Sequence, residues 1–422
     1  MNAAATVRLQ RLAVPGRIRI LGVVGILLGV LMLSVFGAKP RHNDRLHFGL
    51  APGWAWLDVP TISMSASVAA YVLGVVVIVL GVLQAARPLP QRVTTAFTAV
   101  MLIAFIVGFL AWATAGSTLD ITALGSDTMQ RSVPLILGAL CGVLCERSGV
   151  INIAIEGQFL VGAFTAAIVA SAFASIWLGL IGAALAGAIL GMVLAVLAIR
   201  YLVDQVILGV VLNVFALGLT NFLYRQILIP RQDSLNSPDT VSRIRIPGLS
   251  QIPIIGPILF DGNIFLYITY VLLIVLQLAI FHTRWGLRLR SVGEHPTAAD
   301  TVGIKVLAIR YRAVILGGLI AGIAGASFTI GSVGGFGENI TSGKGYIALA
   351  AVIFGAWTPR GALAAALLFG FADTLESRLG ADPPIPSEFL SMAPYVVTIL
   401  AVAGLVGRVR SPKADGQPYV KS

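Results

Sequence analysis

Apolar runs of about 20 residues recur along almost the whole chain and leave it one kind of fold. They are Ile20–Ala38, Ile62–Leu83, Val93–Ala115, Gly157–Ala174, Ile176–Ile199, Val206–Tyr224, Ile264–Phe281, Ala313–Ile330, Gly361–Leu375 and Phe389–Gly407. A bilayer gives the backbone no water, so a crossing segment must satisfy its own N–H and C=O groups, and a helix does this within one run. With 57% hydrophobic and 11% charged residues, against about 25% charged in a soluble domain, the chain has too little polar surface for a water-soluble globule. The expected class is all-α, a polytopic transmembrane helical bundle.

Two further runs, Val133–Cys145 and Tyr346–Trp357, reach only about 20 Å at helical rise. Counting both as crossings gives twelve, which puts the two termini on one side. If that side is the cytoplasm, the inner segments hold most of the 29 Lys and Arg, with a cluster between His282 and Arg312 and another after Gly407. The outer segments hold the acids Asp44, Asp58, Asp120, Asp127, Asp233, Asp239, Asp261, Glu338, Glu376, Asp382 and Glu388. The net charge of +11 therefore reads as an orientation signal and not as a nucleic-acid footprint. The first run follows Arg8, Arg11, Arg17 and Arg19 and precedes Lys39 and Pro40, without an A-x-A-like site, so it is read as a retained helix.

Three regions are expected. Residues 1–125 form an N-terminal extension of three spans, nearly free of intramembrane polar groups beyond Ser and Thr, with Trp54 and Trp56 as interfacial anchors in the outer loop. Residues 126–410 form the core, and 411–422 a cytoplasmic tail. In the core, small-x-x-x-small pairs appear at Gly138/Gly142, Gly187/Gly191 and Gly318/Gly322, which let helix backbones approach closely. Cys141 and Cys145 are read as packing residues.

The stretch Cys145–Phe164 sets Glu146, Arg147, Asn152 and Glu156 inside apolar sequence. Ionisable groups there are costly and usually mark a pathway or a partner. Both short runs are bounded by breakers, Glu146–Gly149 in one case and Gly343–Gly345 with Thr358–Gly361 in the other. Paired, interrupted segments of this kind point to a transport site built from broken helices, although tight turns at the membrane surface would read alike. Asn213 and Asn221 share one face of their helix, as packing glue or as contacts for a passing solute. Asp373 is expected near headgroup water or paired with Arg378. In the basic loop Thr283–Ile304, Pro296 starts and Gly303 ends a helix of about two turns with Ala298 and Ala299 as its small-residue face.

No metal or enzyme motif is present. The four histidines, His42, His47, His282 and His295, form no ligand pair, and Ser342–Gly345 departs from a phosphate loop at Glu338 and Gly345. An intramembrane enzyme using Glu146 or Glu156 as acid or base would lack a nucleophile.

The segments E-R-S-G-V-I-N-I-A-I-E-G (146–157), Thr283–Ile304 and Gly337–Leu375, with G-Y-I-A-L-A-A-V-I-F-G at 345–355, resemble the permeases of bacterial ATP-binding-cassette importers. The likeness is to the branch for branched-chain amino acids, simple sugars and nucleosides, and most to nucleoside permeases. It covers roughly residues 130–407. It implies a pseudo-symmetric bundle with discontinuous central helices, in the bacterial plasma membrane with both termini cytoplasmic. It also implies pairing with a second permease, two cytoplasmic ATPase sites that use ATP, and an extracytoplasmic binding lipoprotein, with membrane lipid around the bundle. This chain would bind no cofactor and hydrolyse no ATP. The 283–304 loop would be the ATPase-coupling helix, with Gly293, Glu294, Pro296, Ala298, Ala299, Asp300 and Gly303 in it. The substrate path is expected along Asn152, Glu156, Gly157, Asn213, Gly345 and Tyr346, while Glu146 and Arg147 form a structural pair. An ion-coupled secondary carrier is the alternative on physical grounds. The three extra N-terminal spans have no place in the resemblance.

Overall fold

Helices make up nearly every described element of the computed structural model, which describes residues 16–38, 45–49, 62–87, 89–116, 118–379, 392 and 411–420. They are α1 (Gly16–Leu31), α2 (Ala66–Ala86), α3 (Gln91–Ala113), α4 (Ile121–Glu146), α5 (Ile155–Ala172), α6 (Ile176–Ala195) and α7 (Gln205–Leu223). After two short helices, α8 (Gln232–Leu235) and α9 (Ile255–Leu259), come α10 (Ile264–His282), α11 (Arg284–Glu294), α12 (Pro296–Thr301), α13 (Val306–Phe328), α14 (Lys344–Phe354) and α15 (Pro359–Leu379). Strands are brief. β1 (Arg45–Gly49) pairs antiparallel with β2 (Ile62–Ser65) and parallel with β3 (Thr118–Asp120), and β4 (Ile244–Arg245) pairs antiparallel with β5 (Asp261–Gly262).

Among the described residues, nine helices are long and apolar enough to cross a membrane. The chain is thus a multi-pass membrane protein, as its composition requires. The expected span Phe389–Gly407 and the loop with Trp54 and Trp56 lie outside the described residues. One expectation is corrected: Val133–Cys145 is no half-span but the second half of the 26-residue α4. Asp127, Gln130 and Arg131 interrupt the apolar run, yet the helix continues through them because these three side chains line a cavity. The other short run is short in the structure as well, since α14 has 11 residues, roughly 16 Å of rise.

The described residues divide into two compact units. One holds α1–α3 with the three-stranded sheet. Its core is Met32, Phe36, Ala70, Val77, Met101 and Ala104, and Phe36 stacks on Trp112 at 5.0 Å. Here α2 runs past the expected end of its span and buries Gln84, which donates to Thr98 Oγ1 (3.2 Å).

The other unit is centred on α4, α5, α13 and α14. Its helices pack backbone to backbone at the glycines the spacing singled out. A Cβ on Gly187 would lie 2.2 Å from Gly318 O, and one on Gly322 would lie 2.1 Å from Ala183 O, so α6 and α13 cross at a separation only glycine permits. On α4, Gly138 and Gly142 instead make room for side chains, Phe159 and Ala348 at the first and Val352 at the second. Without an apolar drive between helices in lipid, this close packing supplies the association.

Candidate functional site

The chain between Glu146 and Gly157 grips the short helix α14 at both ends. At the N-terminal end, helix start and helix cap come from different elements. The first backbone N–H groups of any helix have no intrahelical acceptor, and in a bilayer interior each must find one. Glu156, in the first turn of α5, supplies it. Its carboxylate accepts from Gly343 N (2.9 Å), Gly345 N (2.6 Å) and the Thr341 hydroxyl. A negative group at a helix N-terminus is also favoured by the helix dipole. Two glycines make the approach possible. Gly343 takes a left-handed φ of 78°, and a Cβ on Gly345 would stand 2.5 Å from Glu156 Cα. The Ser342–Gly345 stretch that superficially suggested a phosphate loop is thus occupied by a side chain of the same protein.

Asn213, on α7, holds the same junction from the side. Its Oδ1 accepts from Gly157 N (2.7 Å), and its Nδ2 donates to Ile153 O (2.9 Å) and Tyr346 Oη (3.1 Å). Asn152 is fully buried and donates to Gln158 Oε1 (3.1 Å) and to the Cys141 and Cys145 sulfurs. Ahead of α14, Arg225 forms a two-pronged pair with Glu338 (2.6 and 3.0 Å).

At the C-terminal end of α14 the chain turns through Ala356 and Trp357, both at positive φ (52° and 53°), and leaves carbonyls for an outside donor. Arg147 provides it, through Nε to Trp357 O (2.8 Å) and Nη2 to Ala356 O (3.3 Å). Glu146 accepts from the Trp357 indole N–H. The two were expected to form a structural pair, but no ion pair joins them among the described residues. Each reaches across to the turn after α14, because adjacent residues at a helix end project apart.

Beside the cap lies a cavity of about 470 Å³, walled by α4, the start of α10, the end of α13 and the loop into α14. Its polar lining is Asp127, Gln130, Arg131, Asn263, Ser327, Ser332 and Lys344, with Phe265 and Phe328 among the apolar walls. Asp373 Oδ2 accepts from both Arg131 (3.1 Å) and Lys344 (3.0 Å), where the sequence suggested headgroup water or Arg378. These partners sit far away in the chain.

The structure therefore brings Glu156, Gly157, Asn213, Gly345 and Tyr346 into one cluster and sets Asn152 behind it, but none of the six lines the cavity. Gln130, Arg131, Ser327 and Lys344 do, and sequence reasoning passed over them. The available signal was the polar interruption before Val133, read as a loop.

On the other expected surface, α12 runs from Pro296 as the spacing implied, with Gly303 at φ 82° just beyond it. The small-residue face splits. Ala299 is buried against Val292 and Val306 while Ala298 is exposed. Glu294 is exposed, Asp300 is half-buried, and Gly293 is packed so that a Cβ would meet Arg147 O at 2.3 Å.

Comparison with known proteins gives one family, described as branched-chain amino acid transport system / permease component, matching residues 124–402. The chain is 43% identical over 307 residues to the guanosine ABC transporter permease protein NupQ of Bacillus subtilis, covering 70% of this chain and 95% of that one. It is 40% identical to the nucleoside ABC transporter permease protein NupC of Lactococcus lactis, over 70% of this chain and 96% of the relative. A putative glucose ABC transporter permease protein, TsgC13 of Haloferax volcanii, is 33% identical over 67% of this chain and 92% of its own. No solved structure matches.

Proposed function

The chain belongs to the branched-chain amino acid transport system permease family, and from that premise we propose that it is the membrane-spanning subunit of an ATP-driven importer of nucleosides. The observation that carries the substrate is the identity of 43% and 40%, over nearly their whole length, to permeases named for guanosine and for nucleosides. The cavity suits such a solute. Its volume falls within the range of about 300–1,000 Å³ typical of small-molecule sites. Both cations of its lining, Arg131 and Lys344, are paired with Asp373 outside the lining, and Asp127 lines the same space, which favours an uncharged ligand over a phosphorylated one. Gln130 and Ser327 offer neutral donors and acceptors for ribose and base edges, and Phe328 offers a ring face for the base.

In this reading ATP is hydrolysed on a separate cytoplasmic subunit seated on α11 and α12. A second permease completes the bundle, and an extracytoplasmic lipoprotein delivers the solute. Both termini face the cytoplasm of a bacterial plasma membrane. Closure of the ATPase pair pushes the α11–α12 elbow, and one pseudo-symmetric half rocks against the other around the cavity. The grip on α14 keeps the wall of the cavity in place through that motion. Glu156, Asn213 and Tyr346 thereby act on passage by positioning Lys344 and its loop, and do not touch the solute.

Uptake of labelled guanosine by the complex reconstituted in proteoliposomes tests this. ATP-dependent uptake is expected, with KM raised up to about tenfold in Gln130→Ala or Ser327→Ala, the net worth of one hydrogen bond. Glucose uptake without nucleoside uptake would assign the chain to sugars.

A further inference from the structure

The C-terminal segment 411–420 is not a free tail. It lies across three elements and is fixed to each. Ala414 N donates to Gly293 O (2.9 Å), and Lys413 N approaches Glu294 Oε2 (3.4 Å), at the end of α11. Arg310 of α13, only 1% exposed, donates through Nη1 to Gln417 O (3.0 Å). Tyr419 is buried in a cluster with Val292, Ala299 and Val306, with its hydroxyl towards Asp300. Gly416, at φ 74°, presses on the α4–α5 turn so closely that a Cβ would stand 2.7 Å from Ile151.

At the centre of the segment Asp415 faces Glu146, the last residue of α4, within hydrogen-bonding reach. Glu146 Oε1 and Asp415 Oδ1 are both buried without an N–H or O–H donor among the described residues. Two facing carboxyls with no donor between them require a shared proton, since both cannot be ionised at contact. The same Glu146 receives the Trp357 indole N–H, so the segment is one contact away from the grip on α14.

The outer side of the segment is also informative. Lys413, Gln417, Pro418 and Val420 are exposed, and with Glu294–Thr297 they wall a groove of about 470 Å³. One wall is the expected coupling elbow, the other is the tail.

We propose that residues 411–420 are a strap that fastens the α11–α12 elbow to the α4–α5 turn, and that strap and elbow together form the face on which the ATPase subunit sits. This rests on the importer reading for the identity of the partner. Movement of the elbow then reaches the α14 junction through Asp415–Glu146–Trp357, and the strap is a positioning element of the transport cycle.

The test uses the full-length permease co-expressed with its own tagged ATPase subunit. Removal of residues 411–422 is expected to weaken retention of the ATPase about tenfold, as loss of half a docking face should. Tyr419→Ala and Gly416→Val unseat the strap without removing it, and are expected to lower solute moved per ATP hydrolysed while the chain stays in the membrane. Undiminished ATPase retention after removal of 411–422, together with undiminished coupling in Tyr419→Ala and Gly416→Val, would overturn the proposal. Failure of the unaltered complex to move any nucleoside would instead count against the substrate reading, since ATPase retention is measured without substrate.

Discussion

The N-terminal helices and the central helices of the core solve the bilayer in opposite ways. In α1, α2 and α3, 33%, 33% and 28% of the spanning window is buried, against 83% in α4, 67% in α5 and 72% in α13. The first set shows apolar side chains such as Leu27, Val72 and Ile103 outward. The second carries Glu146, Glu156, Gln158 and Arg310, all nearly inaccessible. A helix that faces lipid needs only to be apolar, so almost any Val, Leu or Ile serves. A helix that faces protein can hold a carboxylate where donors reach it, as Thr341, Gly343 and Gly345 reach Glu156 and the Trp357 indole reaches Glu146. The contrast separates where the protein tolerates change from where it does not.

The sharpest way to break that contrast is Glu156→Ala. It orphans the Thr341 hydroxyl and the amides of Gly343 and Gly345, each at about 1–3 kcal/mol, so unfolding in detergent should come at a much lower temperature and uptake should be lost. Next in size, deletion of residues 1–117 should leave a core that inserts and retains its ATPase, since relatives are matched over 95% and 96% of their length by 70% of this chain. A deleted protein that cannot insert would show that the extension is part of the fold. Arg147→Ala should cost about 1–3 kcal/mol, the worth of charge-assisted bonds to the carbonyls after α14, read as a smaller thermal shift than that of Glu156→Ala.

A pH effect should be confined to the strap. Burial raises the Asp415 carboxyl from 3.8 to about 7, against the pull of Arg310, with Glu146 facing it. A seated strap thus holds a proton that a free one releases. Seating is strongest below about pH 4, weakens as pH rises towards about 7, and is level above that. Hydrogen exchange of residues 411–420 should follow this course, and Asp415→Asn should flatten it. Smallest of all, Val72→Ala on the outward face of α2 should change stability by less than about 0.5 kcal/mol; a larger loss would mean that face is covered.

Much of the fold was legible in the sequence because apolar length and crossing length are the same physical quantity. The runs gave the spans, and the Gly187/Gly191 and Gly318/Gly322 spacings marked helices that do cross backbone to backbone. Glu156 and Gly345 stood out beside the two interruptions, and Asn213 as a polar residue deep in an apolar helix. Their work was not legible. A carboxylate beside a break looks the same in sequence whether it meets a solute or caps a helix 185 or more residues away, and only the Thr341, Gly343 and Gly345 bonds decide. The cavity was missed for the converse reason: Asp127, Gln130 and Arg131 lower the hydropathy of α4, so a continuous helix read as a loop and a half-span. The pairing of Asp373 with Arg131 and Lys344 joins residues 242 and 29 positions apart, beyond any local pattern.

Amide hydrogen exchange across residues 341–358 of the full-length protein in nanodiscs tests the two-ended grip on α14 most directly. Glu156→Gln should speed exchange at Gly343 and Gly345 and leave the 355–358 turn protected, Arg147→Ala should do the reverse, and the double variant should open both. Exchange across this stretch that stays at the unaltered level in all three variants would contradict the account.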